Sequence, residues 1–132
     1  MSAKKLTTRK GGRPEAMSRR RIAQKYLEVA ELVASEDGAA INVSVGLAVL
    51  AGIAAADAIC LAAIGERYAG PDHAAAADLL STVDNEMGKR LREVVGLKPG
   101  SHYGTSLLSA TNRTTALRAA RALVDNAVHR TT

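Results

Sequence analysis

One long apolar segment, from Ala39 to Ile64, constrains the fold of this chain more than any other feature. Its polar residues are Asn42, Ser44 and Asp57, so apolar side chains surround the segment instead of following one face. A helix that is apolar on all sides is buried, either among other helices or in a membrane. The segment is also long enough for a membrane span.

The composition of this segment favours the centre of a helical bundle over a membrane. Its many alanines and glycines contribute little transfer energy, and Asp57 would cost about 2.5–3.5 kcal/mol near a bilayer centre. Gly46 and Gly52 would instead let neighbouring helices approach closely. We therefore predict no membrane span, and we expect Asp57 to find a buried partner, an Arg or Tyr side chain of a neighbouring helix. A membrane-associated helical protein is the alternative interpretation.

Three more helices are predicted around the central one. The first begins at Ser18 as N-cap and buries an apolar stripe at Ile22, Tyr26, Val29 and Val33. The next is capped by Asp72, has an apolar stripe from Leu80 to Val94, and is split or kinked at Gly88. The last follows a loop over residues 96–105, with Thr111 or Asn112 as its cap.

No stretch has the alternating pattern of a strand. The sequence thus predicts an all-α protein, an antiparallel four-helix bundle, with connections that suit such a bundle.

The N-terminal residues 1–17 are predicted to be a flexible basic arm, and residues 18–132 a single helical domain. Gly11, Gly12 and Pro14 interrupt the arm, and it has too little apolar surface to offset the entropy of ordering. Residues 1–21 contain eight Lys and Arg residues against one acid, Glu15, in a chain of net charge +5. These eight are Lys4, Lys5, Arg9, Lys10, Arg13, Arg19, Arg20 and Arg21.

This concentration of cations predicts contacts with the phosphate backbone of nucleic acid. The alternative is a tail that only improves solubility. Residues 9–14, Arg-Lys-Gly-Gly-Arg-Pro, also resemble the core of an AT-hook. The resemblance implies that Gly12, Arg13 and Pro14 enter the minor groove of A·T-rich DNA, which needs a slim backbone and a guanidinium.

Composition excludes several classes of chemistry. The chain has no Phe or Trp, so it lacks platforms on which bases could stack. Cys60 is the only cysteine, and the three histidines are not at metal-ligand spacing, so no disulfide, metal or other cofactor is predicted. The N-terminus lacks the apolar region of a secretory signal, which favours the cytoplasm.

Two pairs of residues could support RNA cleavage without a metal. They are Arg67 with His73, and Lys98 with His102. In such a reaction the histidine moves the proton of the 2′-hydroxyl and the cation stabilises the phosphorane. The alternative is structural, with Arg67 and His73 at helix ends and the other pair in a loop.

Residues 51–80, AGIAAADAICLAAIGERYAGPDHAAAADLL, and residues 97–127, LKPGSHYGTSLLSATNRTTALRAARALVDNA, resemble the HEPN family of small four-helix domains. In its ribonuclease branch, the turn before the last helix carries an Arg, a polar residue and a His, assembled across a dimer. Here Lys98 and His102 take those places, and Pro99 replaces the polar residue. The resemblance therefore implies the non-catalytic branch and a homodimer, with Tyr103 in a structural role.

Together these observations predict a cytoplasmic, dimeric, HEPN-like accessory or regulatory protein that binds nucleic acid, DNA before RNA, through its basic arm. Two alternatives stay open. One is a metal-independent, toxin-like endoribonuclease. The other is a non-catalytic module that binds a protein partner in a toxin–antitoxin or nucleotidyltransferase system.

Overall fold

The computed structural model describes residues 6–103 and 105–132, with side chains throughout these ranges except at residues 101–103. The helices are α1 (Arg13–Leu32), α2 (Ala39–Ile64), α3 (His73–Val83), α4 (Asn85–Val95), α5 (Lys98–Tyr103) and α6 (Ala110–Thr131). Two short strands, β1 (Thr8–Lys10) and β2 (Glu66–Tyr68), form an antiparallel ribbon. The mostly helical architecture confirms the all-α prediction, whereas the prediction that no residues form a strand is wrong.

Helix α2 is the centre of the fold and packs against α1, α3, α4 and α6. Many of its buried residues are alanines, and a Cβ added at Gly52 would lie 2.9 Å from Cγ1 of Val94 in α4. These small residues let the neighbouring helices approach closely. Among the described residues, α2 alone is long and apolar enough to cross a membrane, and 61% of its most apolar window is buried inside the protein. That burial is typical of the core helix of a soluble protein.

Helix α1 buries a different face from the predicted one. Its buried residues are Ala16, Ala23, Leu27 and Ala30. Two members of the predicted stripe, Ile22 and Val29, are 40% and 37% exposed. Close packing against the small residues of α2 explains the difference, because alanines allow the two backbones to approach where larger side chains would hold them apart.

The start of α1 also differs from the prediction, because the helix begins at Arg13 instead of near Ser18. Gly12 is the N-cap, and its N–H donates to Oε2 of Glu15 at 3.0 Å. Pro14 lies in the first turn, where its missing N–H costs nothing. The last five residues of the predicted arm therefore belong to the first helix.

The third predicted helix is two helices, because the chain turns at Asp84. As predicted, Asp72 caps α3, with its Oδ1 accepting from the N–H of Ala74 at 2.9 Å. Asp84 then caps α4, with its Oδ1 accepting from the N–H of Met87 at 3.1 Å. Gly88, predicted as the kink, instead lies inside α4 and packs against Ser81 of α3.

The N-cap of α6 lies two to three residues before the predicted ones. Ser109 is its N-cap: Oγ of Ser109 accepts from the N–H of Asn112 at 3.1 Å, and Oδ1 of Asn112 accepts from the N–H of Ser109 at 3.0 Å. This reciprocal pair is a capping box. The predicted loop over residues 96–105 contains the short helix α5.

The ribbon ties the N-terminal segment to the helical domain. Thr8 lies opposite Tyr68, Arg9 opposite Arg67, and Lys10 opposite Glu66. Further backbone bonds close both ends of the ribbon, from the N–H of Gly11 to the oxygen of Gly65 at 3.0 Å and from the N–H of Ala69 to the oxygen of Thr7 at 2.9 Å. Gly65 makes the turn from α2 into β2 with a φ of 68°, in the left-handed region that favours glycine.

Candidate nucleic-acid interface

A cavity of about 230 Å³, here called the inner cleft, lies where α1, α2, β2 and α3 meet. Its polar lining consists of Arg19, Asp57, Arg67, Tyr68 and His73. These side chains come from four elements of the fold: Arg19 from the second turn of α1, Asp57 from the buried middle of α2, Arg67 and Tyr68 from the strand β2, and His73 from the first residue of α3. The fold thus brings together ionisable groups that are far apart in the sequence.

Asp57 is the buried acid of this cleft, and its partner is the Arg residue of a neighbouring helix that the sequence predicted. Nε of Arg19 donates to Oδ2 of Asp57 at 3.0 Å. Burial raises the pKa of the Asp57 carboxyl above its usual value, although the positive charges of Arg19 and Arg67 and the hydrogen bond from Arg19 act in the opposite direction. The ion pair also fixes the Arg19 side chain, which is 32% exposed, at the edge of the cleft.

His73 contacts a lysine from another part of the chain. Nζ of Lys98, at the start of α5, lies 2.8 Å from Nε2 of His73. Burial and then the positive charge of Lys98 lower the pKa of His73, while Asp72 opposes this shift. The imidazole is therefore neutral at pH 7, and Nε2 accepts a hydrogen bond from the Lys98 ammonium, which leaves the ring proton on Nδ1.

The two predicted Arg/Lys–His pairs are thus rearranged in the fold. Arg67 and His73 do line the same cleft. Lys98 contacts His73 and so joins the first pair. The side chain of His102 lies outside the described part of the structure.

The ribbon places two arginines side by side next to the inner cleft. Arg9 of β1 lies directly opposite Arg67 of β2. Side chains at opposite positions of an antiparallel pair share one face, and like charges there are destabilising. At the neighbouring position of the ribbon the two charges are opposite, since Lys10 lies opposite Glu66.

Two outer cavities continue from the inner cleft along the N-terminal part of α1, between Arg13 and Arg21. The nearer, of about 360 Å³, shares Arg19 and Arg67 with the inner cleft. The farther, of about 390 Å³, shares Pro14 and Ser18 with the nearer one and is flanked by Arg13 and Arg21. We call the three adjoining cavities the basic trough.

The cations predicted to bind nucleic acid divide into three groups. Arg13, Arg19 and Arg21 line the basic trough, and Arg9 adjoins it through its position opposite Arg67. Lys10 and Arg20 do not line the trough; Lys10 is exposed on the ribbon, and Arg20 donates to Oε1 of Gln24 at 3.4 Å. Lys4 and Lys5 lie outside the described residues.

Tyr68 is a site residue that the sequence reasoning missed. Its ring packs over Gly70, where an added Cβ would lie 2.7 Å from Cζ of the ring, and its hydroxyl accepts from the N–H of Asp72 at 3.1 Å. Tyr68 therefore forms one wall of the inner cleft and fixes the turn into α3. The glycines on either side of this segment indicated turns, but no periodic pattern indicated a strand.

Metal and thiol chemistry have no basis in the described part of the chain. No group of three or more His, Cys, Asp and Glu side chains there could hold a metal ion. Burial raises the pKa of the Cys60 thiol to about 12, so this cysteine is a poor nucleophile.

In comparisons with known proteins, no family model matches the chain, and no curated protein is significantly similar to it.

Proposed function

We propose that this protein binds nucleic acid, DNA in the first instance, as an accessory or regulatory protein, and that the basic trough receives the sugar–phosphate backbone. The observation that carries the proposal is the placement of Arg9 opposite Arg67, next to Arg19. Like charges in register cost stability. A bound phosphate would offset this repulsion, so the arrangement suits an anionic ligand.

The trough favours contacts with the backbone over contacts with bases. Its described lining contains several arginines but one aromatic side chain, Tyr68. Guanidinium groups match phosphate oxygens in geometry. Contacts of this kind position a protein on nucleic acid without reading its sequence.

The AT-hook-like residues have a different role in this proposal. Arg9 and Lys10 belong to β1, and Arg13 and Pro14 begin α1. In these positions they cannot lie extended in a minor groove unless the ribbon opens. We therefore assign phosphate contacts from the folded state to Arg9 and Arg13.

The HEPN-like relationship and the homodimer are part of the same proposal. The order of the helices and the central position of α2 support the first. The homodimer is supported by three exposed apolar side chains on α1, those of Ile22, Val29 and Leu32. A dimer would apply two troughs to one polyanion and so raise its avidity.

The experiment compares two triple variants of the full chain. Arg9→Gln, Arg13→Gln and Arg21→Gln remove three cations at the trough, whereas Lys89→Gln, Arg118→Gln and Arg121→Gln remove three exposed cations elsewhere. Both sets are titrated with labelled duplex DNA and single-stranded RNA at several salt concentrations. We expect the slope of log K against log salt to fall by about 3 in the trough variant. Equal slopes in both variants would contradict the proposal.

A second candidate function is metal-independent cleavage of RNA in the inner cleft. The placement of His73 in one cavity with Arg19 and Arg67 favours it, because a histidine and two cations meet there. His73 would take the proton of the 2′-hydroxyl on Nε2 once Lys98 has moved away from that nitrogen, and Arg67 would stabilise the phosphorane. Incubation of labelled RNA with the protein and a chelator, followed by a denaturing gel, tests this. Cleavage that His73→Gln abolishes would support it, and intact RNA would dismiss it.

A further inference from the structure

The basic trough ends at the inner cleft. On the far side of Tyr68 lies another cavity, whose described lining includes Asp72 and Asp78 but no Lys or Arg. Asp78 pairs with Arg92 at 2.6 Å, but the charge of Asp72 faces the same region. Among the described residues, a nucleic-acid strand that followed the trough inwards would meet no further Lys or Arg in the cavity lining beyond Tyr68, and would meet the carboxylate of Asp72 instead. The inner cleft, as the end of the basic trough, is therefore better suited to the end of a nucleic-acid strand than to the middle of a strand that continues beyond Tyr68.

The charge in the inner cleft also suits a strand end. Arg19 and Arg67 together carry more positive charge than Asp57 neutralises. Asp57 binds the Nε of Arg19, which fixes this side chain while the remaining guanidinium nitrogens extend beyond that bond. An internal phosphodiester carries one negative charge, whereas a terminal phosphate carries about 1.5–2 at pH 7. The terminal phosphate therefore offsets more of the excess positive charge in the inner cleft.

The size of the inner cleft limits what can enter. Its volume of about 230 Å³ is below the range of about 300–1,000 Å³ that is typical of sites for drug-sized ligands. A phosphate with part of its sugar is of suitable size, whereas a base pair is not. The two outer cavities are larger and more suitable for the nucleotides that follow.

We infer that the inner cleft binds the terminal phosphate of a nucleic-acid strand, with Arg19 and Arg67 as its ligands, while the rest of the basic trough holds the adjoining backbone. This inference rests on the proposed function, which identifies the bound polymer as nucleic acid. Asp57 acts as a positioning residue for Arg19. Tyr68 closes the cleft behind the phosphate.

The test uses one short single-stranded DNA in three forms, with a 5′-phosphate, with a 3′-phosphate, and with hydroxyls at both ends. Fluorescence anisotropy measures the binding of each form to the full chain. We expect one phosphorylated form to bind about tenfold more tightly than the hydroxyl form, as charge-assisted hydrogen bonds to one extra group would give. The two phosphorylated forms identify which end is recognised.

Variants separate this site from general electrostatics. Arg67→Gln is expected to abolish the preference for the phosphorylated form, and Arg67→Lys to retain part of it. Arg118→Gln removes the same charge from an exposed position on α6 and is expected to leave the preference unchanged. Asp57→Asn keeps an amide oxygen that can accept from Nε of Arg19 but removes the competing negative charge, so it is expected to increase the preference. Circular dichroism of each variant checks that it is folded.

Three results would overturn the inference. The first is equal binding of all three DNA forms by the unaltered protein, which would leave the proposed function intact. The second is an equal loss of preference in Arg67→Gln and Arg118→Gln, which would assign the effect to net charge. The third is no binding of any DNA form at any salt concentration, which would overturn the proposed function as well.

Discussion

Oδ2 of Asp84 lies 3.3 Å from Nη2 of Arg130, so the residue between α3 and α4 is tied to the last turn of α6. The same carboxylate caps α4 through its other oxygen, which accepts from the N–H of Met87. One residue therefore ends α3 through its backbone N–H, which donates to the oxygen of Leu80, and its side chain begins α4 and joins it to the C-terminal helix.

The two roles of Asp84 are separable by mutation. Asp84→Ala loses the cap and the ion pair, and we expect the free energy of unfolding to fall by about 1–2 kcal/mol. Asp84→Asn keeps a side chain that caps equally well and loses the ion pair with a half-exposed arginine, which is worth about 0–1 kcal/mol. Urea denaturation of both variants gives the comparison. Equal losses in the two variants would show that the cap contributes nothing.

The stability of the protein should depend on pH through His73. The pKa of His73 is lowered from its ordinary value of 6.5 by burial and by Lys98, so the unfolded chain binds a proton more readily than the folded chain. The contribution of His73 to the free energy of unfolding is then at its full value well above pH 6.5 and is lost as the pH falls from 6.5 through the pKa of the folded state.

His73→Gln should reduce this dependence, because glutamine can still accept from Lys98 but does not titrate. His129→Gln is the matched control, since His129 is exposed on α6. Urea denaturation between about pH 5 and pH 8 covers the range in which histidine titrates. The interpretation fails if the pH dependence is the same in His73→Gln and in the unaltered protein.

Gly88 is required by the packing of α4 on α3. A Cβ at this position would lie 2.9 Å from Cα of Ser81, and the Ser81 backbone cannot move aside as a flexible side chain could. Overpacking of this kind costs about 1–3 kcal/mol, more than the gain of about 1 kcal/mol from replacing glycine inside a helix. Gly88→Ala should therefore lower the melting temperature, whereas Lys89→Ala, at the next, exposed position, should leave it nearly unchanged. A melting temperature unchanged in Gly88→Ala would mean that the two helices can separate without cost.

The central helix was predictable from sequence because its signal does not depend on tertiary contacts. The bounds of α2 are those of the apolar segment itself, Ala39 to Ile64. The partner of Asp57 was predictable as a type of residue, because a buried carboxylate needs a cation or a donor. That the partner is Arg19 depends on how α1 packs, which hydrophobic periodicity predicted incorrectly for that helix.

The ribbon and the rearranged histidine contact were not predictable from local patterns. β1 and β2 are three residues each, too short for an alternating pattern, and their pairing joins residues far apart in the sequence. The contact between Lys98 and His73 depends on where α5 lies, in a stretch that its glycines and proline indicated as a loop. Tertiary contacts determine both features.

Two variants of the ribbon separate the effect of where a charge lies from the effect of the net charge of the protein. Arg9→Glu and Lys10→Glu make the same change in net charge at adjacent exposed positions of β1. Arg9→Glu places opposite charges across the ribbon, facing Arg67, whereas Lys10→Glu places like charges across it, facing Glu66. Cross-strand charge pairs are worth about 0.2–1 kcal/mol, with the sign set by the charges. Arg9→Glu should therefore stabilise the ribbon and Lys10→Glu should destabilise it.

Amide hydrogen exchange of Gly11 and Ala69 measures this difference, because their N–H groups close the two ends of the ribbon. We expect slower exchange of both amides in Arg9→Glu and faster exchange in Lys10→Glu. We also expect Arg9→Glu to weaken binding to DNA more than Lys10→Glu does, because only Arg9 lies opposite an arginine of the basic trough. Those results would show that the repulsion between Arg9 and Arg67 lowers the stability of the ribbon while the two arginines together bind an anion. Equal changes in exchange and in binding would mean that net charge alone matters, and the arrangement of the two arginines would have no role.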